Sequence, residues 1–236
     1  MPDPDRRPAL RLDGFEPADD SVDRDFYDAI DSNLHTLCRL AEHHTPDGRH
    51  SYHVIFDESV TWGIPGLPQL LALHIDRDLT AKTFTFEFAS LPLAVMVQSW
   101  LISRGCPREE IRLPKGMGTT PADKRTVALQ ERLMGDGDHF ALLHSDTDDS
   151  AQAPVVVVVL RALDEKDPHP YRLLHEVADM ESFTHTLREG VFPTFDAAMD
   201  WIDGPNVPLR PAPLTSRTAP RQAPVQPPIP GLARRR

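Results

Sequence analysis

The amino-acid sequence predicts an α+β fold built as two similar halves. Each half is expected to run helix, three strands, helix, with the strands in an antiparallel meander. Three observations carry this. Period-2 alternation appears in separate short runs, clearest where Phe84, Phe86 and Phe88 alternate with Thr83, Thr85 and Glu87. Helix-period runs flank those strands at both ends. The joints between them are acidic or proline-bearing turns such as S-D-T-D-D-S (145–150) and E-K-D-P-H-P (165–170). Strict strand–helix alternation, which a nucleotide-binding parallel sheet requires, is missing. One continuous six-stranded sheet is the alternative arrangement.

The elements follow in order. Residues 1–19 are rich in Pro and Asp without apolar periodicity and read as a flexible acidic arm. A first half spans 20–106. Val22, Phe26, Ile30, Leu34, Leu37 and Ala41 recur at three- and four-residue steps, which predicts a helix from Asp20 that stops at T-P-D-G (45–48). Strands are expected where Tyr52, Val54 and Phe56 alternate, over 70–75, and around Phe84–Phe86–Phe88. Ser90 then offers an N-cap to an apolar helix over 91–104, closed by Gly105. Apolar on most faces, that helix should be buried.

A connector spans 107–119 and a second half 120–204. Thr120 reads as an N-cap, with Pro121 at the first helical position and a helix to about Met134. Strands are expected over 139–144, 155–163 and 171–177; the unbroken valines 155–159 suit a strand buried on both faces. Helices over 180–189 and 195–203, capped by Asp179 and Thr194, complete the body. Trp100 and Trp201 read as core. E-F-A-S-L (87–91) and E-V-A-D-M (176–180) fall at the same expected place, the passage from third strand to helix. That echo suggests an internal repeat; two unrelated strand-to-cap junctions would look the same. From 205 to 236 the chain holds nine of its 24 prolines and reads as a disordered Pro/Arg-rich tail.

Charge bounds the function. The chain carries −11, its last 32 residues carry six arginines and no acids, and residues 1–204 therefore carry −17. An acidic body repels nucleic-acid phosphates and anionic lipid. A protein partner with a basic face is the expectation, and nucleic acid enters only through the tail. No apolar run is long enough to span a bilayer and the first residues lack a signal-peptide core, so a cytoplasmic protein without a membrane contact is expected. Four lysines against 21 arginines suit a GC-rich bacterial genome. Cys38 and Cys106 form neither a disulfide framework nor a zinc motif.

Few residues point to chemistry. A-E-H-H-T-P-D-G-R-H-S-Y-H (41–53) packs four histidines into a short span. His44, His50 and His53, with Asp47, could gather around the turn as a zinc site, the one cofactor the sequence suggests; a solvated hairpin is the competing reading. L-P-K-G-M-G-T-T-P (113–121) could hold an anion on Lys115, Lys124 and the amides of Thr119 and Thr120. Trp62 and the terminal Arg234, Arg235 and Arg236 are candidate interaction residues. H-E-V-A-D (175–179) lacks the second histidine of a zincin helix, and 145–150 lacks the glycine and distal glutamate of a calcium loop. The expected helix–three-strand–helix order resembles double-stranded RNA-binding domains in element order alone. The basic helix start that such domains use is absent at both candidate junctions. The sequence therefore favours a non-catalytic interaction or regulatory protein. The alternatives are an enzyme with a cryptic site near the histidines and a nucleic-acid-associated regulator.

Overall fold

The computed structural model describes residues 6–60, 66–137, 139–148, 152–164, 169–204 and 209. The α+β class holds, with four α-helices and two five-stranded sheets among the described residues. The first sheet is built from β1 (Glu16–Pro17), β2 (Leu37–His44), β3 (His50–Asp57), β4 (Leu70–Asp78) and β5 (Thr83–Leu91), with α1 (Asp20–Ala29) after β1 and α2 (Ala94–Ser103) after β5. The second is built from β6 (Thr120–Pro121), β7 (Phe140–Asp148), β8 (Val155–Ala162), β9 (Tyr171–Asp179) and β10 (Thr184–Phe192), with α3 (Lys124–Leu133) after β6 and α4 (Phe195–Asp203) after β10. The sheet orders are β1-β5-β4-β3-β2 and β6-β10-β9-β8-β7, antiparallel except that β1 and β6 lie parallel to their neighbours. Each meander thus has four strands where the sequence suggested three.

Two helix expectations became strands. The helix from Asp20 ends at Ala29, not at the T-P-D-G turn. Asp31, Ser32 and Asn33 follow as a short 3₁₀ turn, and such side chains compete for backbone hydrogen bonds. Leu37 and Ala41 then belong to β2. Their four-residue spacing fits a strand as well as a helix, and a bulge between Arg39 and Ala41 sends them to opposite cores. The expected helix over 180–189 is a turn and most of β10. Asp179 caps no helix: its Oδ1 accepts the Glu181 and Ser182 amides, and Phe183 at φ +55° reverses the chain. Asp78, with the Thr80 and Ala81 amides and Lys82 at φ +59°, closes the β4–β5 hairpin in the same manner. Consequently E-F-A-S-L lies on β5 while E-V-A-D-M lies on β9 and its turn, so the two stretches are not counterparts.

A different pair of tripeptides does occupy matching places. Pro17-Ala18-Asp19 and Pro121-Ala122-Asp123 each pass from a two-residue parallel strand into a helix. Asp19 accepts the Ser21 and Val22 amides, and Asp123 accepts the Thr126 amide. Thr120 is therefore a strand residue rather than the cap, and its amide donates to the Phe183 carbonyl.

The sheets do not merge. α2 lies between them, which is why its sequence shows no polar face. Val97 and Leu101 pack with Tyr52, Val54 and Ala72 of the first sheet. Leu93 and Val95 pack with Val158, Leu160, Leu174 and Leu187 of the second. α1 covers the other face of the first sheet through Phe26 and Ile30, and α4 covers the other face of the second through Ala198. Trp201 joins that last cluster, and Trp100 is half-buried beside the first. Ser90 does not cap α2; the helix begins after Leu93 without a side-chain cap.

The segment before β1 is not free of the body. Pro8 is buried, and Leu10, Leu12 and Phe15 pack on the α1 side of the first sheet. Arg77, only 2% exposed, donates to the carbonyls of Leu10 (2.5 Å), Arg11 (3.0 Å) and Gly48 (3.3 Å) and to Ser51 Oγ (2.8 Å). On the second sheet, bare Gly190 leaves room for the Leu209 side chain; a Cβ there would meet it at 2.7 Å.

Because α2 belongs to both cores, a cavity in it should weaken both halves together. Leu101→Ala is expected to cost about 2–5 kcal/mol. Urea unfolding followed by circular dichroism should still show one transition; two separated transitions would contradict the shared-helix account.

Candidate functional site

The histidine cluster is split by the sheet. His50 and His53 are three residues apart on β3, so they face opposite sides. His50 Nδ1 lies 3.2 Å from His74 Nε2 on the α2 side, where Tyr52 stacks on His74 at 4.7 Å. His53 and His44 lie on the other side, beneath the N-terminal segment, with ring centroids 5.4 Å apart. Asp47 stays in the turn, accepting from Thr45 Oγ1 and the Arg49 amide. The four expected zinc ligands are therefore not brought together. Among the described residues no group of three or more His, Cys, Asp or Glu is arranged to hold a metal ion. The competing reading, a solvated hairpin, fails at His53, which is fully buried.

What His44 and His53 form instead is a buried neutral pair beside a carboxylate. His44 Nδ1 bonds Ser51 Oγ at 2.7 Å. Glu42 Oε2 accepts the Ala9 amide at 3.2 Å and lies 3.6 Å from His53 Nδ1 and 3.9 Å from His44 Nε2. Burial, helped by nearby arginines, pushes His44 down to about 4 and lowers His53 as well. Burial alone would raise Glu42, but His53, the Ala9 amide and Arg39 overcome it and hold the carboxyl at about 2. The group latches the N-terminal segment to the sheet.

The cavity of interest lies elsewhere. The connector, including the 3₁₀ turn Arg108–Ile111, runs on through residues 112–119 over a space of about 480 Å³ between the halves. Leu40, Phe56, Leu70 and Val95 form an apolar wall. Gln130, Glu176 and His185 face the same space from α3, β9 and β10. Lys115, Thr119 and Thr120 line it too, but the anion site expected of them is not assembled. Lys124 is not among the lining residues, the Thr120 amide is spent on Phe183, and the far wall presents a carboxyl group.

His185 is held by both nitrogens. Nε2 lies 2.8 Å from Gln130 Nε2 and Nδ1 lies 2.9 Å from Thr119 Oγ1. A carboxamide nitrogen only donates, so His185 Nε2 accepts and its proton sits on Nδ1, directed to Thr119. Burial further favours this neutral form. Glu176 Oε2 lies 3.9 Å from His185 Nε2, its one ion-pair contact among the described residues. A neutral ring cannot balance a carboxylate, and burial raises Glu176 to about 7. Its side chain keeps 23% exposure where it borders the cavity.

Register shows what stands at the matching positions of the first half. Pro17 pairs with Phe84 where Pro121 pairs with His185, and Ile75 pairs with Phe86 where Glu176 pairs with Leu187. Phe26 and Gln130 each lie seven residues after their capping aspartate. The first half fills this place with Phe26 and Phe84 in edge contact at 5.1 Å, with Ile75 in the same core. The second half places Gln130, His185 and Glu176 there. The signal was present in the sequence: correct strand phase puts Glu176 and His185 on the inward face of β9 and β10. The mistaken helix over 180–189 hid it.

Arg172 Nη1 lies 3.3 Å from Glu189 Oε1 and 3.4 Å from Asp136 Oδ2, and Arg132 pairs with Glu189. Burial holds both cysteines protonated, Cys38 at about 11 and Cys106 at about 12, which makes neither a ready nucleophile. Trp62, Arg234, Arg235 and Arg236 lie outside the described residues. Among the described residues no helix is long and apolar enough to cross a membrane. No protein-family model matches the chain, and neither does any curated protein or solved structure.

Two pH effects of opposite sign follow. His44 is depressed in the fold, so the unfolded chain takes up its proton first. Stability should fall by at most about 3 kcal/mol as pH drops from 6.5 toward 4. His44→Phe should flatten that slope in urea melts at pH 7, 5.5 and 4.5; an unchanged slope would remove His44 as its source. Glu176 is raised in the fold, so the folded chain holds its proton longer. Its contribution should worsen as pH rises from about 4.5 to about 7, again by at most about 3 kcal/mol. Glu176→Gln should therefore be relatively more stable at pH 8 than at pH 4.5, and equal effects at both values would contradict burial of the carboxyl.

Proposed function

We propose that the protein is a non-catalytic regulatory binding protein that seats a small molecule in the cavity between its two halves. The observation that carries this reading is the replacement of an apolar trio, Phe26, Phe84 and Ile75, by Gln130, His185 and Glu176 on the cavity wall. Polar groups at a core position weaken the core unless they are fully paired or serve a site. Glu176 is not paired by any cation among the described residues. A space of about 480 Å³ with one apolar wall and a few convergent polar groups has the size and character of small-ligand sites.

Regulation is part of the reading because of where the cavity lies. The connector roofs it and α2 walls it, and those two segments join the halves. A bound molecule would bear on how the halves pack. The −17 of residues 1–204 supports a basic protein surface as the partner, and the +6 of residues 205–236 supports a second docking contact. The matching sheet orders and the two P-A-D tripeptides support a common origin for the halves.

An enzyme is the second reading, favoured by one observation: a cavity carboxyl with an affinity for protons near neutrality suits a general acid or base. The hydrogen bonds of His185 count against it. With both ring nitrogens engaged, the neighbouring imidazole has no free site from which to relay a proton. Ala94, at the start of α2, lines the cavity. Native mass spectrometry of the full chain should find a retained small molecule, lost in Ala94→Trp, which sets a bulky side chain at that lining. A bare chain mass, together with no thermal shift across a library of small amphiphiles, would overturn the binding reading. Catalytic turnover lost in Glu176→Gln would replace it with the enzyme.

A further inference from the structure

We infer that the cavity takes an amphiphile with a protonated amine head, its apolar body against Leu40, Phe56, Leu70 and Val95 and its ammonium at Glu176. The inference rests on the cavity being a binding site and adds the chemical class of its occupant.

Three features select this class. Leu40, Phe56 and Leu70 of the apolar wall belong to the first half and the polar trio to the second, so a ligand satisfying both has two chemically distinct ends. The polar trio offers one unbalanced group. His185 spends its acceptor on Gln130 and its proton on Thr119, which leaves the Glu176 carboxyl as the wall's open acceptor. An ammonium supplies both the charge and the hydrogen bonds a carboxylate lacks there, and charge-assisted bonds are about twice as strong as neutral ones. The field of the body points the same way, since residues 1–204 carry −17 and attract cations to the cavity mouth.

The groups around Glu176 do not cancel this preference. β10 contributes neutral His185 and α3 contributes Gln130. The paired position on β8 is Val156. From the connector, Arg112 is engaged by Glu109 at 2.9 Å and by Glu131 at 2.8 Å, and Lys115 is an exposed residue at the lining. A carboxylate head would meet Glu176 directly, and an alcohol head would leave its charge unbalanced. Because Glu176 holds its proton to about pH 7, amine binding near that pH should expel it.

The test is isothermal titration of the full chain with octylamine, octanol and octanoate at pH 7. One octylamine per chain is expected, bound at least about tenfold tighter than octanol, a difference of about 1.4 kcal/mol, with octanoate weakest. Runs in two buffers of different ionisation enthalpy should report proton release with octylamine alone. Glu176→Gln should bring octylamine to the level of octanol and leave octanol unchanged. Excess octanol should displace octylamine, which places both in one cavity without a mutation. If octanol binds and Ala94→Trp blocks it, while octylamine gains nothing over octanol or keeps its advantage in Glu176→Gln, the amine head is wrong and the cavity site stands. Tightest binding by octanoate has the same meaning. If none of the three binds, or if Ala94→Trp changes nothing, the cavity reading falls and the amine with it.

Discussion

The burial of α2 on two sides is the constraint on which the rest depends. A helix with apolar residues around its circumference has no stable place at a surface, because one face would remain in water. Placing it between two sheets removes that cost and fixes the architecture in one step. Each sheet gains a cover for one face, Val97 and Leu101 for the first, Leu93 and Val95 for the second. The halves are then held together by a core rather than by a linker. The connector has only to bridge from the end of α2 to β6, and in doing so it roofs the cavity.

How much of this was legible depends on where two periodicities coincide. Class, the alternating β5 and the Thr194-capped α4 could be read directly from period and end signals; the buried α2 could be read from its apolar run, but Ser90 is not its cap. Leu37 and Ala41 could not be read, because a four-residue step suits helix and strand alike and only pairing with β3 decides. Asp179 misled because an aspartate accepting amides two and three residues on serves a hairpin turn as readily as a helix start. Asp19 and Asp123 make nearly the same bonds at true helix starts. The short strands β1 and β6 are two residues each, below any pattern a sequence can display.

The candidate site suffered from the same phase errors. Four histidines close in sequence invited a metal reading, yet a strand puts neighbours on opposite faces, and His50 and His53 part company for that reason. Glu176 and His185 stand nine residues apart, a spacing that no local pattern links. Antiparallel pairing of β9 with β10 brings them together, since Glu176 stands opposite Leu187 and His185 opposite Ala178. Proximity in a sheet is a matter of register, and register is a tertiary fact. The residues that could have given it away are the counterparts Phe84 and Ile75: aligned on the P-A-D tripeptides and the Asp78 and Asp179 turns, the first half shows what an ordinary core places there.

Two places set a carboxyl beside imidazole, Glu42 with its histidines and Glu176 with His185, and they show why only one is read as a site. Both place a carboxyl next to imidazole in a desolvated setting. At Glu42 the surroundings answer the charge: the Ala9 amide donates to it, Arg39 pairs with it at 2.8 Å, and its affinity for protons drops far below the ordinary value. Ionised Glu42 is therefore stabilised by the fold, and its role ends with holding the N-terminal segment. At Glu176 the surroundings leave the charge unanswered and its affinity for protons rises. A fold under selection for stability alone would favour an apolar residue there, such as the Ile75 that stands at the matching register of the first half. An acid that destabilises its own ionised form supports the proposed site, in which a bound cation would complete it, and the open side of Glu176 is the cavity.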